Sequence, residues 1–90
     1  MKKIIITVVG KDRVGIIARV CTYLSNNQIN ILDITQTIIS DMFNMMVIAD
    51  MEKSDKSFEI ISDELKNLGV EMGLRILAQK EEIFTEMHRI

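Results

Sequence analysis

Along this chain the spacing of apolar residues alternates between strand-like and helix-like patterns. The order of these patterns restricts the fold more than any other feature. Segment 3–9 is β-branched almost throughout, which is typical of a strand covered on both faces. The next segment has helical spacing, and two strand-like segments follow it. A second segment with helical spacing and a last strand-like segment complete the pattern. The predicted elements are a strand over 3–9, a helix over 14–27, strands over 29–39 and 42–51, a helix over 55–68 and a strand over 70–79.

The first predicted helix has a single apolar stripe. Its polar residues Arg19, Thr22 and Ser25 lie away from that stripe, so one side of the helix should pack on the sheet. Asn26 and Asn27 are expected to end the helix, because asparagine tolerates the left-handed conformation. The predicted buried stripe consists of Ile17, Val20, Cys21 and Leu24.

The second predicted helix carries signals for both of its ends. Ser54 or Asp55 can accept hydrogen bonds from the first turn, and Gly69 stands where a left-handed residue would end the helix. Alternating apolar and polar residues from Val70 to Gln79 then predict a half-exposed last strand. The predicted buried stripe of this helix consists of Phe58, Ile61, Leu65 and Leu68.

These elements specify an α+β fold, the ferredoxin-like βαββαβ sandwich. Right-handed crossovers put both helices on one face of an antiparallel sheet with strand order 4-1-3-2, and they leave the other face without helices. We expect this domain to span residues 1–79. Residues 80–90 are expected to form a short C-terminal amphipathic helix, because four apolar side chains recur there at helical spacing: Ile83, Phe84, Met87 and Ile90.

Composition narrows the range of functions. A net charge of −2 and a pI of 5.3 argue against nucleic acid and anionic membrane surfaces as partners. No apolar run approaches the ~20 residues that a membrane span requires, and a single cysteine excludes an internal disulfide. His88 is the only histidine, and no nucleophile with a base partner is evident. We expect a cytoplasmic protein that is not an enzyme and that uses no metal or cofactor.

Two predicted surfaces favour self-association. The strand at 29–39 is expected at an edge of the sheet, and Asp33 is its only charge. It has neither the lysine nor the proline that usually prevents an edge strand from pairing with another strand. We therefore predict a homodimer, formed either by a continuous sheet through this edge or by stacking of the helix-free faces. The alternative is that the C-terminal tail covers part of the surface. The helix-free face is apolar at Ile5, Val9, Met42, Met46, Ile48 and Leu77.

The segment between the first strand and the first helix is the best candidate for a binding site. Free N–H groups at the start of a helix attract a carboxylate, and Gly15 lets a ligand or a neighbouring backbone come close. The structural alternative is that Asp12 caps the helix and Gly15 permits tight packing of helix against sheet. The candidate residues of this loop are Asp12, Arg13, Val14, Gly15 and Ile16.

Asn30 opens the second strand, and we expect it to lie beside this loop because the first crossover returns the chain toward its own start. Its amide both donates and accepts, so Asn30 and Asp12 could together hold the ammonium and the carboxylate of an amino acid. The alternative is a polar edge residue bonded to water. Ile31 and Leu32 follow Asn30 and complete the candidate site.

These two segments resemble the ACT domain, a small regulatory module that binds amino acids. The resemblance is carried by Gly-Lys-Asp-Arg-Val-Gly-Ile-Ile-Ala at 10–18 and Asn-Ile-Leu-Asp-Ile at 30–34, and it covers about residues 1–79. It looks closest to the free-standing bacterial and archaeal ACT proteins, and it extends to the ACT domains of the glycine-cleavage repressor and of formyltetrahydrofolate deformylase. It implies a homodimer that senses an amino acid at its interface and signals to a partner protein.

Two positions depart from the pattern of the serine-binding members. Val14 stands where proline usually precedes the family glycine, Gly15. Asp12 and Asn30 match two family asparagines by position, but an aspartate favours a ligand ammonium and repels a carboxylate, so the amino acid is left unspecified. Two other functions stay open. One is a ligand-free protein–protein interaction domain, and the other, from the weak likeness of this loop and Arg13 to a phosphate-binding loop, is an acylphosphatase.

Overall fold

In the computed structural model, which describes residues 1–82, the chain forms four strands and two helices in the predicted order. The sheet order is β2-β3-β1-β4 with every pairing antiparallel, which confirms the predicted ferredoxin-like sandwich. The predicted C-terminal helix and His88 lie outside the described residues. The elements are β1 (Lys3–Lys11), α1 (Ile16–Asn26), β2 (Asn30–Ile39), β3 (Met42–Asp50), α2 (Phe58–Met72) and β4 (Leu74–Lys80).

The core lies between the helices and the face of the sheet that they cover. Because side chains alternate along a strand, every second residue of β1, β3 and β4 points into it, as Ile6, Val47 and Ile76 do. The helices close the core with five side chains that are no more than 2% exposed: Ile16, Val20, Leu24, Ile61 and Leu65.

Relative to the predicted orientation, helix α1 is rotated around its own axis by about one residue position. Ile16 is buried, whereas Ile17 is 38% exposed and Cys21 is only partly buried. Both sets of residues fit the helical period, and the sequence pattern alone cannot choose between them. The predicted burial of Ile17 was therefore wrong, and its side chain contributes to the protein surface.

The end of α1 also differs from the prediction. Asn27 has a φ of −109°, and the left-handed residue is Gln28, with a φ of 59°. The side-chain amide of Asn27 instead donates to the Tyr23 carbonyl at 2.8 Å. This bond serves one of the carbonyls that a helix end leaves without a backbone partner.

Helix α2 runs four residues past its predicted end at 68. Gly69 lies inside the helix, where a Cβ would stand 2.9 Å from the Leu74 carbonyl oxygen, so the glycine lets the helix approach β4 closely. Gly73, with a φ of 72°, is the left-handed residue that ends the helix. Val70 and Met72 consequently belong to α2, and their predicted place in the last strand was wrong.

The start of α2 is capped three residues after the predicted position at Ser54. The Ser57 hydroxyl accepts a hydrogen bond from the Ile60 N–H at 3.3 Å, so neither Ser54 nor Asp55 is the cap. Ser54 instead accepts a hydrogen bond from the Lys56 N–H in the loop before the helix, also at 3.3 Å.

A small polar network joins the two helices. The Tyr23 hydroxyl donates to Glu64 Oε1 at 2.7 Å, and Lys56 Nζ donates to the same oxygen at 2.7 Å. The hydrogen bonds from Lys56 and Tyr23 lower the pKa of the Glu64 carboxyl. Burial is the main cause that raises the pKa of the Tyr23 hydroxyl, and the hydrogen bond to Glu64 raises it further.

This network predicts a specific acid sensitivity. Since the folded state holds Glu64 ionised, its contribution to stability is present above the ordinary carboxyl pKa of 4.5 and is lost as pH falls through the lower folded-state value. We expect Glu64→Gln to flatten the fall of the melting temperature between neutral pH and pH ~3. Glu59→Gln, which removes an exposed carboxylate from the same helix, should keep the wild-type slope. Equal slopes for wild type and Glu64→Gln would contradict the assignment.

Candidate functional site

The loop between β1 and α1 is tied to two other parts of the chain. The Asp12 N–H donates to the Asp41 carbonyl in the β2–β3 turn at 2.7 Å. Arg13 Nη1 donates to the Met72 carbonyl at the end of α2 at 2.6 Å. The loop is therefore held between the edge of the sheet and the C-terminal end of the second helix.

Gly15 precedes α1 in the left-handed conformation, with a φ of 91°. No side chain accepts a hydrogen bond from the first turn of α1, so the alternative in which Asp12 caps this helix is wrong. A Cβ on Gly15 would meet no atom within 4 Å, which also excludes tight packing as the reason for the glycine. The start of α1 thus combines open space with first-turn N–H groups that no side chain caps, the arrangement that suits a ligand carboxylate.

The conformation of Gly15 can be tested without any ligand. Gly15→Ala should lower the free energy of unfolding by about 1–2 kcal/mol, because an L side chain is strained in this region. Gly15→Asn should lower it less, since asparagine tolerates the left-handed conformation. Gly69→Ala should be at least as destabilising as Gly15→Ala for a different reason, the 2.9 Å approach to the Leu74 oxygen. Urea unfolding measures all three, and an Ala variant at position 15 as stable as wild type would contradict the conformational argument.

Arg13 makes a structural contact in this chain. Its guanidinium lies on the carbonyl that ends α2, where the helix dipole favours a positive charge. The contact fixes the loop relative to α2. It also draws the arginine toward the helix end, which weakens the likeness to a phosphate-binding loop.

The remaining loop residues differ in what they can offer a ligand. Asp12 is exposed and Val14 is fully exposed, so both side chains are accessible. Ile16 is 2% exposed and belongs to the core, so only its backbone N–H can contribute. In the second predicted segment Leu32 is 39% exposed, whereas Ile31 packs against the core.

Asn30 lies at the opposite end of the sheet from the loop, and the expectation that the two are neighbours within one chain was wrong. Asn30 pairs with Asp50, which pairs with Lys3 at the start of β1, while the loop follows Lys11 at the end of β1. The length of β1 separates them by about 26 Å. The reason is that β1 and β2 are parallel, so the crossover brings the start of β2 to the start of β1.

The sequence interpretation missed the β2–β3 turn as a neighbour of the site. Ser40 and Asp41 have φ values of 49° and 67°, the positive pair that a two-residue hairpin turn requires. The register places this turn at the end of β1, since Lys11 pairs with Met42. The two-residue link between the predicted strands was the signal that could have placed Asp41 beside Asp12.

A cavity of about 600 Å³ lies elsewhere, between the start of β1, the start of α2 and the end of β4. Four lysines line it, Lys2, Lys3, Lys56 and Lys80, and the last three each have a contact of their own. Lys56 pairs with Glu64 at 2.7 Å, Lys3 lies 3.8 Å from Glu81, and Lys80 Nζ lies 5.5 Å from the centre of the Phe58 ring. The glutamates at the rim oppose an anionic ligand, so the loop before α1 is the better candidate site.

Residues 2–79 match the family described as the ACT domain. The chain belongs to the ACT domain family. An ACT domain is a small regulatory ligand-binding fold, and the match extends across all six elements of the sheet and helices. Relatives occur in bacteria and archaea. A UPF0237 protein of Bifidobacterium longum is 60% identical over the full length of both chains, and one of Methanocaldococcus jannaschii is 39% identical over the same span.

Solved structures agree with this assignment. An ACT domain protein from Streptococcus pneumoniae shares 35% of its residues, covers 92% of this chain and 93% of its own, and superposes with a TM-score of 0.82. Two more distant structures show the fold alone. A formyltetrahydrofolate deformylase from Pseudomonas syringae is 17% identical over 89% of this chain and 28% of its own, with a TM-score of 0.82. A protein described as a glycine cleavage system transcriptional repressor is 24% identical over 88% of this chain and 45% of its own, with a TM-score of 0.75.

Two structural features are absent from residues 1–82 of this ACT domain. Neither helix is long and apolar enough to cross a lipid bilayer. No group of three or more histidine, cysteine, aspartate or glutamate side chains is placed to hold a metal ion within the same range.

Proposed function

We propose that this ACT domain is a regulatory protein that binds an amino acid between two copies of the chain. The observation that carries the proposal is the position of the candidate residues. Asp12 is held against the β2–β3 turn at one end of the exposed strand β2, and Asn30 opens the same strand at its other end. One chain cannot bring them together, whereas two chains related by a two-fold axis can.

Antiparallel pairing of two β2 strands produces this arrangement. If the pairing is centred on the middle of β2, Asn30 of one protomer lies beside Ile39 of its partner, next to the partner's turn and loop. Each dimer then has two equivalent sites. Each site takes Asp12 from one protomer and Asn30 from the other.

Exposed apolar side chains support pairing through this edge. Ile34 and Ile38 point to the helix side of the sheet, since they pair with the core residues Val47 and Phe43. They are nevertheless 41% and 57% exposed in the single chain. Ile17 on α1 is exposed as well. A partner's β2 and α1 would cover these three isoleucines, which are costly to leave in water.

The groups at the shared site fit the two charged ends of an amino acid. The first-turn N–H groups of α1 would receive the carboxylate, and Gly15 leaves the space for it. The Asp12 carboxylate and the Asn30 amide oxygen would accept hydrogen bonds from the ammonium group. The exposed side chains of Val14 and the partner's Leu32 would contact the ligand side chain. The bound state would then be recognised by a regulated protein.

Screening the twenty amino acids by their effect on the melting temperature tests this function. Stabilisation by one amino acid or a small related set supports a sensor. No shift with any amino acid at millimolar concentration would overturn it and favour a ligand-free interaction domain. Acylphosphatase activity that is lost in Arg13→Ala would instead support catalysis, and we expect none because Arg13 is engaged by the Met72 carbonyl.

A further inference from the structure

Little side-chain packing holds the loop between β1 and α1 in place. Asp12 is exposed, Val14 is fully exposed, and a Cβ on Gly15 would meet no atom within 4 Å. No proline restricts the backbone of this loop, since the chain contains none. The rigidity of the loop therefore depends on the hydrogen bonds that tie it to the rest of the fold.

Two hydrogen bonds tie this loop to distant parts of the chain within residues 1–82. The Asp12 N–H donates to the Asp41 carbonyl at 2.7 Å, and Arg13 Nη1 donates to the Met72 carbonyl at 2.6 Å. The bond from Arg13 is partly buried and has a charged donor, so it is the stronger of the two. It is also the one that a side chain makes, so a substitution can remove it while the backbone stays the same.

The Met72 carbonyl belongs to the last turn of α2. Gly73 ends the helix in the left-handed conformation, and its N–H donates to the Val70 carbonyl at 3.2 Å. The last carbonyls of a helix lack partners within the helix, and the helix dipole favours a guanidinium beside them. A change in the position of the loop therefore changes the contact that Arg13 makes at the end of α2.

We propose that Arg13 is a positioning residue of the amino-acid site and that it couples occupancy of this site to the last turn of α2. This role rests on the proposed function, because it concerns the same site. Arg13 holds Asp12 and Gly15 in the arrangement that receives the ligand, and its guanidinium stays on the Met72 carbonyl when the ligand is bound. Since the first-turn N–H groups of α1 directly follow Gly15, a ligand bound to them fixes the loop and strengthens the contact with α2.

Thermodynamic linkage makes this coupling measurable from both of its ends. A loop that samples other conformations binds more weakly, in proportion to the fraction of molecules that are competent to bind. If loss of the Arg13 contact weakens binding by a given factor, binding must stabilise the contact by about the same factor. For one hydrogen bond from a charged group this factor is on the order of ten.

Isothermal titration calorimetry of the full-length chain gives the first measurement. The probes are the twenty free amino acids, and each one that binds wild type is titrated into the variants. Arg13→Ala should weaken binding about tenfold. Arg13→Lys should weaken it less, because a lysine can still donate one hydrogen bond to the carbonyl. Circular dichroism confirms that the variants are folded, and two variants at position 13 guard against the failure of one.

Arg19→Ala is the matched control for this titration. Arg19 also joins α1 to α2, through a 2.8 Å ion pair with Glu71, but it lies within the helix and outside the loop. Because both partners of this ion pair are exposed, its loss should change stability little. Arg19→Ala should keep the wild-type affinity.

Hydrogen exchange at the amides of residues 69–73 gives the second measurement. It is made well below the melting temperature, where the ends of helices exchange by local opening. In wild type a saturating amino acid should slow this exchange by about the factor that Arg13→Ala costs in affinity. The slowing should persist in Arg19→Ala and disappear in Arg13→Ala. The first half of α2 is the internal reference for stabilisation of the whole domain by the ligand.

The outcomes distinguish the role of Arg13 from the proposed function. Wild-type affinity in Arg13→Ala overturns the positioning role and leaves the amino-acid site in place. Weaker binding by Arg13→Ala, with no effect of the amino acid on exchange at 69–73 in wild type, overturns the coupling and assigns Arg13 to direct contact with the ligand. Slowing that persists in Arg13→Ala also overturns the coupling. A wild type that binds none of the twenty amino acids overturns both the role of Arg13 and the proposed function.

Discussion

An amino acid that binds this ACT domain should raise its free energy of unfolding by about 2.7 kcal/mol at a hundredfold excess over its Kd. For a domain of 90 residues this corresponds to an increase in melting temperature on the order of ten degrees. Glycine, serine and the branched-chain amino acids are the first to test, because the space at Gly15 and the exposed Val14 fit a small or aliphatic side chain. Differential scanning fluorimetry at fixed protein concentration measures the shift.

Removing either polar group should abolish this stabilisation. Asp12→Ala removes a carboxylate and Asn30→Ala removes an amide, and both side chains are exposed, so the unliganded melting temperature should change little. Asp63→Ala and Asn67→Ala make the same chemical changes at exposed positions of α2 and should keep the full shift. An undiminished shift in Asp12→Ala or Asn30→Ala would place the ligand elsewhere.

A lysine on the edge strand should separate the protomers. Ile34→Lys puts a charge where β2 of one copy meets β2 of the other, and an uncompensated buried charge costs about 3 kcal/mol or more. The dissociation constant of the dimer should rise on the order of a hundredfold, because each 1.4 kcal/mol is a factor of ten. The fold of each protomer should survive, since Ile34 is 41% exposed in the single chain.

The same substitution should also remove amino-acid binding, because each site needs residues from both copies. Ile60→Lys is the matched control, since Ile60 is 47% exposed on α2, and it should leave both association and binding unchanged. Light scattering across a concentration series measures association. A dimer of wild-type strength in Ile34→Lys would rule out pairing through β2.

The sequence predicted the fold because period and handedness act on whole elements. The β-branched run that became β1 and the two helical stripes determine the element order, and the crossover rule then determines the sheet order. Positions that depend on one residue were harder to predict. Gly69 and Gly73 are equivalent as possible helix ends, and only the packing of α2 on β4 assigns one to the helix interior and the other to the cap.

The candidate site stays a prediction, and the structure corrects its geometry. The loop containing Asp12 and Gly15 was chosen from its composition, and the structure shows Gly15 in the left-handed conformation there. The distance to Asn30 was misjudged because adjacency in a sheet depends on strand direction, and β1 and β2 are parallel. The contact between Arg13 and the Met72 carbonyl links residues 59 apart in sequence, and no local pattern could have predicted it.

Mixing two inactive variants tests most directly whether the binding site is shared between protomers. Asp12→Ala and Asn30→Ala chains should each fail to bind the amino acid that stabilises wild type. After exchange at equal concentrations, about half of the dimers contain one chain of each kind, and each of these has one site with both groups intact. Isothermal titration calorimetry should then recover about one quarter of the wild-type sites, with wild-type affinity. No recovery after exchange, in a mixture shown to contain the mixed dimer, would contradict a site built from two chains.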